Sequence, residues 1–321
     1  MARDNSTFIV GEDEAGETLA KLVRKHGLAE SWNEARRVVQ TGKLSLDGTT
    51  QTDPVFRPRA GTTVTYAPRA RRVELDPPGR LVHDDSQVVV FDKPAGVSSV
   101  PYEERETGTA MDLVRDHWRR AGRAAREVPL HVVHRIDKDT SGLIVFAKSK
   151  SAERALQTLF REHDIERTYL CVVHGHLTDR RIESLLLADR GDGLRGSIAG
   201  RFAGKPRARG GPPQGKRAVT HVRALEPVGD AAMLCEVRLE TGKTHQIRIH
   251  LSENGHPLVG ERVYIRDFVR DEAHAALPSP RLLLHAATLG FVHPTTAEPM
   301  RFESPLPPEF EAAVAALRRA G

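Results

Sequence analysis

The chain has 321 residues, 39% apolar and 28% charged, a composition ordinary for a globular protein with room for a large core and a second domain. Its net charge of +5 favours a polyanionic partner only mildly, so where the charge sits counts for more than its sum. No secretory core and no apolar run of membrane-spanning length occurs, so a cytoplasmic protein without membrane contact is expected.

Thr18 to His26 carries Leu19, Leu22 and Val23 at helical spacing, with Lys21, Arg24 and Lys25 turned elsewhere. Gly27 can end that helix. Ser31-Trp32-Asn33-Glu34 is a capping-box pattern opening a second helix, Glu34 to Gln40, that bears Arg36 and Arg37. Lys43 to Thr50 reads as a strand, an Asp47-Gly48 hairpin turn and a second strand, and Gly61 to Tyr66 supplies another. Two basic helices followed by small strands resemble the S4 RNA-binding fold, although Thr18-Leu19-Ala20 stands where that family usually has Arg-Leu-Asp. The resemblance implies that residues 1–67 form an RNA-binding domain using Arg24, Lys25, Arg36, Arg37 and Lys43. Residues 68–80 are rich in Pro and Arg and read as an extended linker, which would raise the effective concentration of a bound RNA at the larger domain, 81–321.

From Leu81 onward the pattern is strand-rich. Val88 to Phe91 is a strand and Lys93-Pro94-Ala95-Gly96 a turn; Thr109 to Arg120 and Ser151 to His163 suit helices. Leu143 to Ala147 is a short, continuous apolar run of β-branched and aromatic residues, which fits a buried strand. Tyr169 to Val173 and Met233 to Leu239 are further strands. Each holds one of the two cysteines, Cys171 and Cys235, which are expected as buried thiols rather than a disulfide. Residues 191–223 hold eight Lys/Arg against one acid, Asp192, with many Gly and Pro. An ordered entry, a basic loop near Lys205 to Gln214 and a strand from Ala218 are expected; the loop is either a phosphate contact or an insertion without a role. Thr244 is placed as the N-cap of a helix from His245 to Glu253, and Pro307 to Arg319 as an amphipathic packing helix.

Within this frame one carboxylate stands out. His134-Arg135-Ile136-Asp137-Lys138-Asp139-Thr140-Ser141-Gly142 runs directly into the apolar strand, so Asp137 sits at the mouth of a sheet with cations on both sides. Taken alone, an Asx-turn ahead of a core strand explains it equally well. Two further segments change that balance: Arg167-Thr168-Tyr169-Leu170 and Thr241-Gly242-Lys243-Thr244-His245-Gln246-Ile247-Arg248. Together with Lys93-Pro94-Ala95-Gly96, Gly255-His256-Pro257 followed by Gly260, and Leu284-His285-Ala286, they resemble the RluA-type pseudouridine synthases over residues 81 to about 310.

The resemblance implies an α+β enzyme: a catalytic domain on a mixed, largely antiparallel sheet, with the small S4-like domain before it. It implies that Asp137 is the catalytic carboxylate, Arg248 its partner and Tyr169 a wall of the uracil pocket. Arg135 is implied as a contact to a flipped-out uridine, and Lys243 as an RNA contact standing where the family commonly has arginine. Arg167 likewise stands where the family often has lysine, and Gly260-Glu261 departs from its usual Gly-Asp. His134 and Thr140 are expected to shape the turn. Uridine isomerisation breaks C1′–N1 and joins C5 to C1′ without redox change or net hydrolysis, so no cofactor is called for. An aspartate can serve as nucleophile at C1′ or promote elimination to a glycal; both routes stay open.

No Gly-rich phosphate loop, serine elbow or metal-ligand spacing is present, and His245 and His250, five apart, do not face one another on a helix. The expected partner is structured RNA, large-subunit ribosomal RNA first and transfer RNA as the alternative, handled by a monomer without metal. A non-catalytic RNA-binding ribosome-assembly factor is the second reading, and lacks the need for Asp137 and Arg248. A nucleoside hydrolase is the third; it requires a second acid/base group, and no second carboxylate motif is evident.

Overall fold

The computed structural model describes residues 5–70, 78–102, 106–125, 127–198, 215–268 and 276–320. The basic segment Lys205 to Gln214 and linker residues 71–77 lie outside the described residues. The chain divides into two compact units, Met1–Asp76 and Pro77–Gly321.

The first unit contains β1 (Ser6–Ile9), α1 (Leu19–Lys25), α2 (Trp32–Gln40), β2 (Leu44–Leu46), β3 (Thr49–Gln51) and β4 (Thr63–Tyr66). Its antiparallel sheet has the order β1-β4-β2-β3. Leu19, Leu22 and Val23 of α1 pack with Val38 and Val39 of α2 over Leu44 and Val64. The Asp47-Gly48 turn takes positive φ at both residues, 48° and 82°, the geometry that a two-residue hairpin requires. Helix α2 starts two residues before the position expected from sequence. Ser31 Oγ caps it by accepting from Glu34 N at 3.1 Å, while the Glu34 carboxylate reaches back past Ser31 to Glu30 N at 2.7 Å. Strand β1 was not expected: its four residues alternate half-buried and exposed at the sheet edge, so no apolar run marks it.

The second unit contains β5 (Arg80–Asp84), β6 (Val88–Lys93), α3 (Ala110–Arg120), β7 (His131–Val132), β8 (Ser141–Ala147), α4 (Lys150–Glu162), β9 (Glu166–His174) and β10 (Arg180–Leu187). It continues with β11 (Gly196–Ser197), β12 (Lys216–Val228), β13 (Ala232–Leu239), α5 (Gln246–Glu253), β14 (Leu284–Val292), β15 (Pro299–Glu303) and α6 (Pro308–Ala320). The strands form one eleven-stranded sheet, β11-β10-β12-β13-β9-β14-β8-β6-β5, with β15 on β14 and β7 on β8. Every pairing is antiparallel except β14 with β8, so the sheet is mixed and largely antiparallel.

Strand β8 is buried along its whole length because both its faces are covered. Ile144 and Phe146 meet Val114 and Trp118 of α3, whereas Leu143 and Val145 meet Ala152 and Leu156 of α4. That double cover is why the sequence here is continuously apolar rather than alternating. Cys171 and Cys235 are both buried and free, and stand directly opposite each other on β9 and β13.

The parallel seam between β8 and β14 fixes the loop that carries Asp137. Gly142 has φ +107°, and a Cβ there would lie 2.3 Å from the Ala286 carbonyl oxygen. Only glycine lets the backbones approach this closely. Ser141 Oγ, one residue earlier, bonds His285 Nδ1 at 2.9 Å and accepts from Arg281 Nη2 at 2.7 Å. Gly142→Ala is predicted to cost at least about 3 kcal/mol, combining forbidden backbone and steric overlap. Thermal unfolding of the purified variant checks this, and a melting temperature within about a degree of wild type would contradict it.

Candidate active site

Asp137 sits in the loop between β7 and β8, and its backbone is held from several sides. Ser99 Oγ donates to the Ile136 carbonyl at 2.6 Å and accepts from Ile136 N at 3.2 Å. Thr140 N donates to the Asp137 carbonyl at 3.1 Å. The Lys93 ammonium, fully buried, donates to the carbonyls of Lys138 (3.0 Å), Pro94 (3.0 Å) and Val97 (2.7 Å). Burial pushes Lys93 down to about 7, against the charges of Asp137 and Asp139, which favour its ammonium. The lysine of the Lys93-Pro94-Ala95-Gly96 turn is therefore a clamp beneath the loop. With its backbone fixed, Asp137 turns its carboxylate outward, 22% exposed.

Arg248 lies in the first turns of α5 and is buried. Its Nε and Nη2 each donate at 2.7 Å to the two oxygens of Glu261, a bidentate pair. Its remaining amino group, Nη1, stands 3.6 Å from Asp137 Oδ2, an ion-pair distance longer than a hydrogen bond. Glu261 also accepts from the backbone amides of Arg262 (3.0 Å), Val263 (2.8 Å) and Tyr264 (3.3 Å), and its side chain is 0% exposed. Burial alone would raise the Glu261 carboxyl, but the Arg248 fork and these amides hold it below the usual carboxylate range. Arg248 is shifted upward: burial opposes its charge, and the bonds to Glu261 and the field of Asp137 overcome that. Arg248 therefore belongs chiefly to Glu261 and only in part to Asp137, unlike the simple Asp137–Arg248 pair implied from sequence. Glu261 is also the second carboxylate that the sequence did not reveal.

Helix α5 begins differently from the sequence expectation. Its N-cap is His245, not Thr244, and His245 takes the left-handed conformation with φ 57°. Gln246 closes the turn by accepting from Lys243 N at 3.0 Å and Thr241 Oγ1 at 2.8 Å while donating to Val219 O and Thr220 Oγ1 at 2.9 Å each. A strained residue over-determined by such bonds points to function. The turn aims His245 Nε2 to within 4.0 Å of Asp137 Oδ1, and its Nδ1 bonds the Tyr264 hydroxyl at 2.9 Å. Burial holds His245 below its ordinary value despite Asp137, and pushes Tyr264 up to about 12, so the pair is a neutral imidazole and a phenol.

Asp137, Arg248 and His245 open onto a pocket of about 420 Å³, within the range of small-ligand sites. Asp137, Arg248, Tyr169, Arg135 and Lys243 all line it, so the structure brings together every site residue predicted in the larger domain. Tyr169 is buried on β9, and burial raises its phenol despite the opposing charge of Arg167. His134 stacks on Phe160 at 4.4 Å and accepts from Val145 N at 3.1 Å, so it does shape the turn. Burial, with Arg167 nearby, pushes it down to about 3.

The five remaining candidates lie in the first unit. Arg36 and Arg37 are exposed on α2. Arg24 stacks 4.7 Å over the Trp32 ring. Lys25 and Lys43, however, are already engaged: Lys25 pairs with Glu14 at 2.9 Å and Asp13 at 3.3 Å, and Lys43 donates to the Ala70 carbonyl. Among the described residues no group of three or more metal-ligating side chains is found, and no helix is long and apolar enough to cross a membrane.

Residues 87–253 match the RNA pseudouridylate synthase family model. A relative from Zymomonas mobilis, named ribosomal large subunit pseudouridine synthase D, is 35% identical over 286 residues, 86% of each chain. A relative of the same name from Vibrio vulnificus is 29% identical over 98% of this chain and 94% of its own. Among solved structures, human RNA pseudouridylate synthase domain containing 1 shares the fold, with a TM-score of 0.55 at 23% identity over 77% of this chain and 97% of that one. The chain belongs to the RNA pseudouridylate synthase family. It is an isomerase, an RNA pseudouridine synthase related to the RluA type.

Removing Glu261 leaves a buried guanidinium without its main partner, so Glu261→Ala should lose about 3–5 kcal/mol in urea unfolding. A loss below about 1 kcal/mol would contradict the pairing. Because the folded value of Glu261 lies below its unfolded one, its stabilisation is complete above the ordinary glutamate range, roughly 4.3, and fades as pH falls through the folded value. The variant should therefore lose less stability than wild type on acidification below that range.

Proposed function

We propose that this chain isomerises specific uridines in large-subunit ribosomal RNA, with Asp137 as the carboxylate that acts at ribose C1′. The observation that carries the reading is one carboxylate at the mouth of a pocket whose other charged lining residues, among those described, are cationic, 3.6 Å from a guanidinium amino group that Glu261 locks in place. Arg248 aims the carboxylate, and one wall of the uracil site is Tyr169, whose phenol keeps its proton and presents an apolar face. Arg135, exposed two residues before Asp137, meets the strand from which the uridine has flipped. Lys243, on the opposite turn, contacts the RNA backbone. The reaction moves one proton from C5 to N1 and needs no cofactor.

The hydrolytic alternative is disfavoured on one specific ground. The second carboxylate, Glu261, is sealed by Arg248 and three amides and has no exposed surface to position a water. The ribosomal substrate is supported by the names of relatives such as those from Zymomonas mobilis and Vibrio vulnificus; transfer RNA is the alternative substrate. The first unit serves as an S4-like RNA-binding module, with Arg24, Arg36 and Arg37 as its contacts, tethered to a monomeric cytoplasmic enzyme.

A pseudouridine map of ribosomal and transfer RNA tests this, comparing cells that carry wild type, no gene, or Asp137→Ala. Discrete ribosomal sites should vanish without the gene and return with wild type but not with Asp137→Ala. In vitro the variant should lose at least about a thousandfold in rate while still binding RNA. A wild-type map from the Asp137→Ala cells would overturn the assignment, and loss confined to transfer RNA would move the substrate.

A further inference from the structure

The pocket holds a second arginine that the chemistry at Asp137 does not use. Arg167 opens β9 and shares a strand face with Tyr169 two residues on. Its guanidinium lies over the Phe160 ring at 5.5 Å. On another side is Gly242, where a Cβ would stand 2.6 Å from Arg167 Nη1, so any other residue in that turn would displace the guanidinium. Among the described residues, the buried Arg167 Nε has no hydrogen-bond partner and no carboxylate pairs with this side chain. A buried, unsatisfied cationic donor costs stability and calls for an explanation.

The neighbourhood supplies one. Arg161 and Lys243 line the same pocket, and among the described residues the only acid lining it is Asp137, which faces Arg248 and His245. Arg161 has Glu162 at 4.0 Å, but Arg167 and Lys243 have no ion-pair partner among the described residues, and an anion entering beside them would relieve their repulsion. A neutral uracil carbonyl would leave the charge unbalanced; a phosphodiester meeting the guanidinium from the pocket balances it.

We propose that Arg167 binds a backbone phosphate next to the target uridine and so seats the nucleotide with its base toward Tyr169 and its ribose toward Asp137. This rests on a uridine of RNA entering the pocket, as proposed above, and holds for either RNA.

The probe is a synthetic RNA stem-loop cut from the segment found modified by wild type in the cell map. Variants of it carry one neutral methylphosphonate 5′ or 3′ of the target. Conversion of the unmodified stem-loop by wild type checks the functional reading separately. Arg167→Gln should raise KM by about tenfold, with a smaller fall in kcat. It should flatten the slope of log affinity against log salt by about 0.7 to 1. Arg167→Lys, which keeps the charge and guards against a mere folding defect, should recover most of the salt slope. One methylphosphonate should weaken wild type by a similar factor and leave Arg167→Gln almost unaffected. If each neutral linkage weakens Arg167→Gln as much as wild type, Arg167 contacts no phosphate there and the proposal falls. An unchanged salt slope in Arg167→Gln would also overturn it.

Discussion

The site depends on the buried pair between Arg248 and Glu261. Burying either charge alone would cost several kcal/mol, and the bidentate geometry with three backbone amides offsets that cost. The pair also divides the guanidinium: Nε and Nη2 are committed to Glu261, and Nη1 remains for Asp137. A carboxylate in a tight bidentate bridge would be a poor nucleophile, because attack would have to break that bridge. At 3.6 Å, Asp137 is oriented by charge yet keeps its oxygens available. Lys93 completes the arrangement from below by fixing the carbonyl next to Asp137, so the loop and the helix meet at set positions.

A family of neutral groups surrounds this charged centre. His245, Tyr264 and Tyr169 are all shifted by burial toward their uncharged forms. An isomerisation that exchanges one proton within the substrate suits such a setting. The other charged residues that line the pocket, among those described, are cationic, which suits a substrate whose charge lies in its backbone.

Much of this was legible in the sequence where one local pattern settles the structure. The apolar run 143–147 reads as a buried strand because α3 and α4 cover both its faces. Asp47-Gly48 reads as a hairpin because few residues tolerate its dihedrals. Asp137, Tyr169 and Arg248 were recognisable by resemblance, and they do line one pocket. What stayed hidden depends on contacts between distant segments. Glu261 looked like a substitution of uncertain effect, since its partner lies 13 residues away. His245 gives no local sign of positive φ, because the Gln246 bonds to Val219 and Thr220 impose the turn. The partners of Lys25 and Lys43, namely Glu14, Asp13 and the Ala70 carbonyl, likewise lie outside the local pattern.

Guanidinium geometry at position 248, and not charge alone, organises Asp137. The most direct test is the single-turnover rate of pseudouridine formation by Arg248→Lys, measured beside its RNA affinity. Lysine keeps the charge but cannot bridge Glu261 and still offer a fixed donor to Asp137. The rate should lie at least about a hundredfold below wild type, with affinity within about twofold. A wild-type rate would show that charge suffices, and would contradict the division of the guanidinium between Glu261 and Asp137.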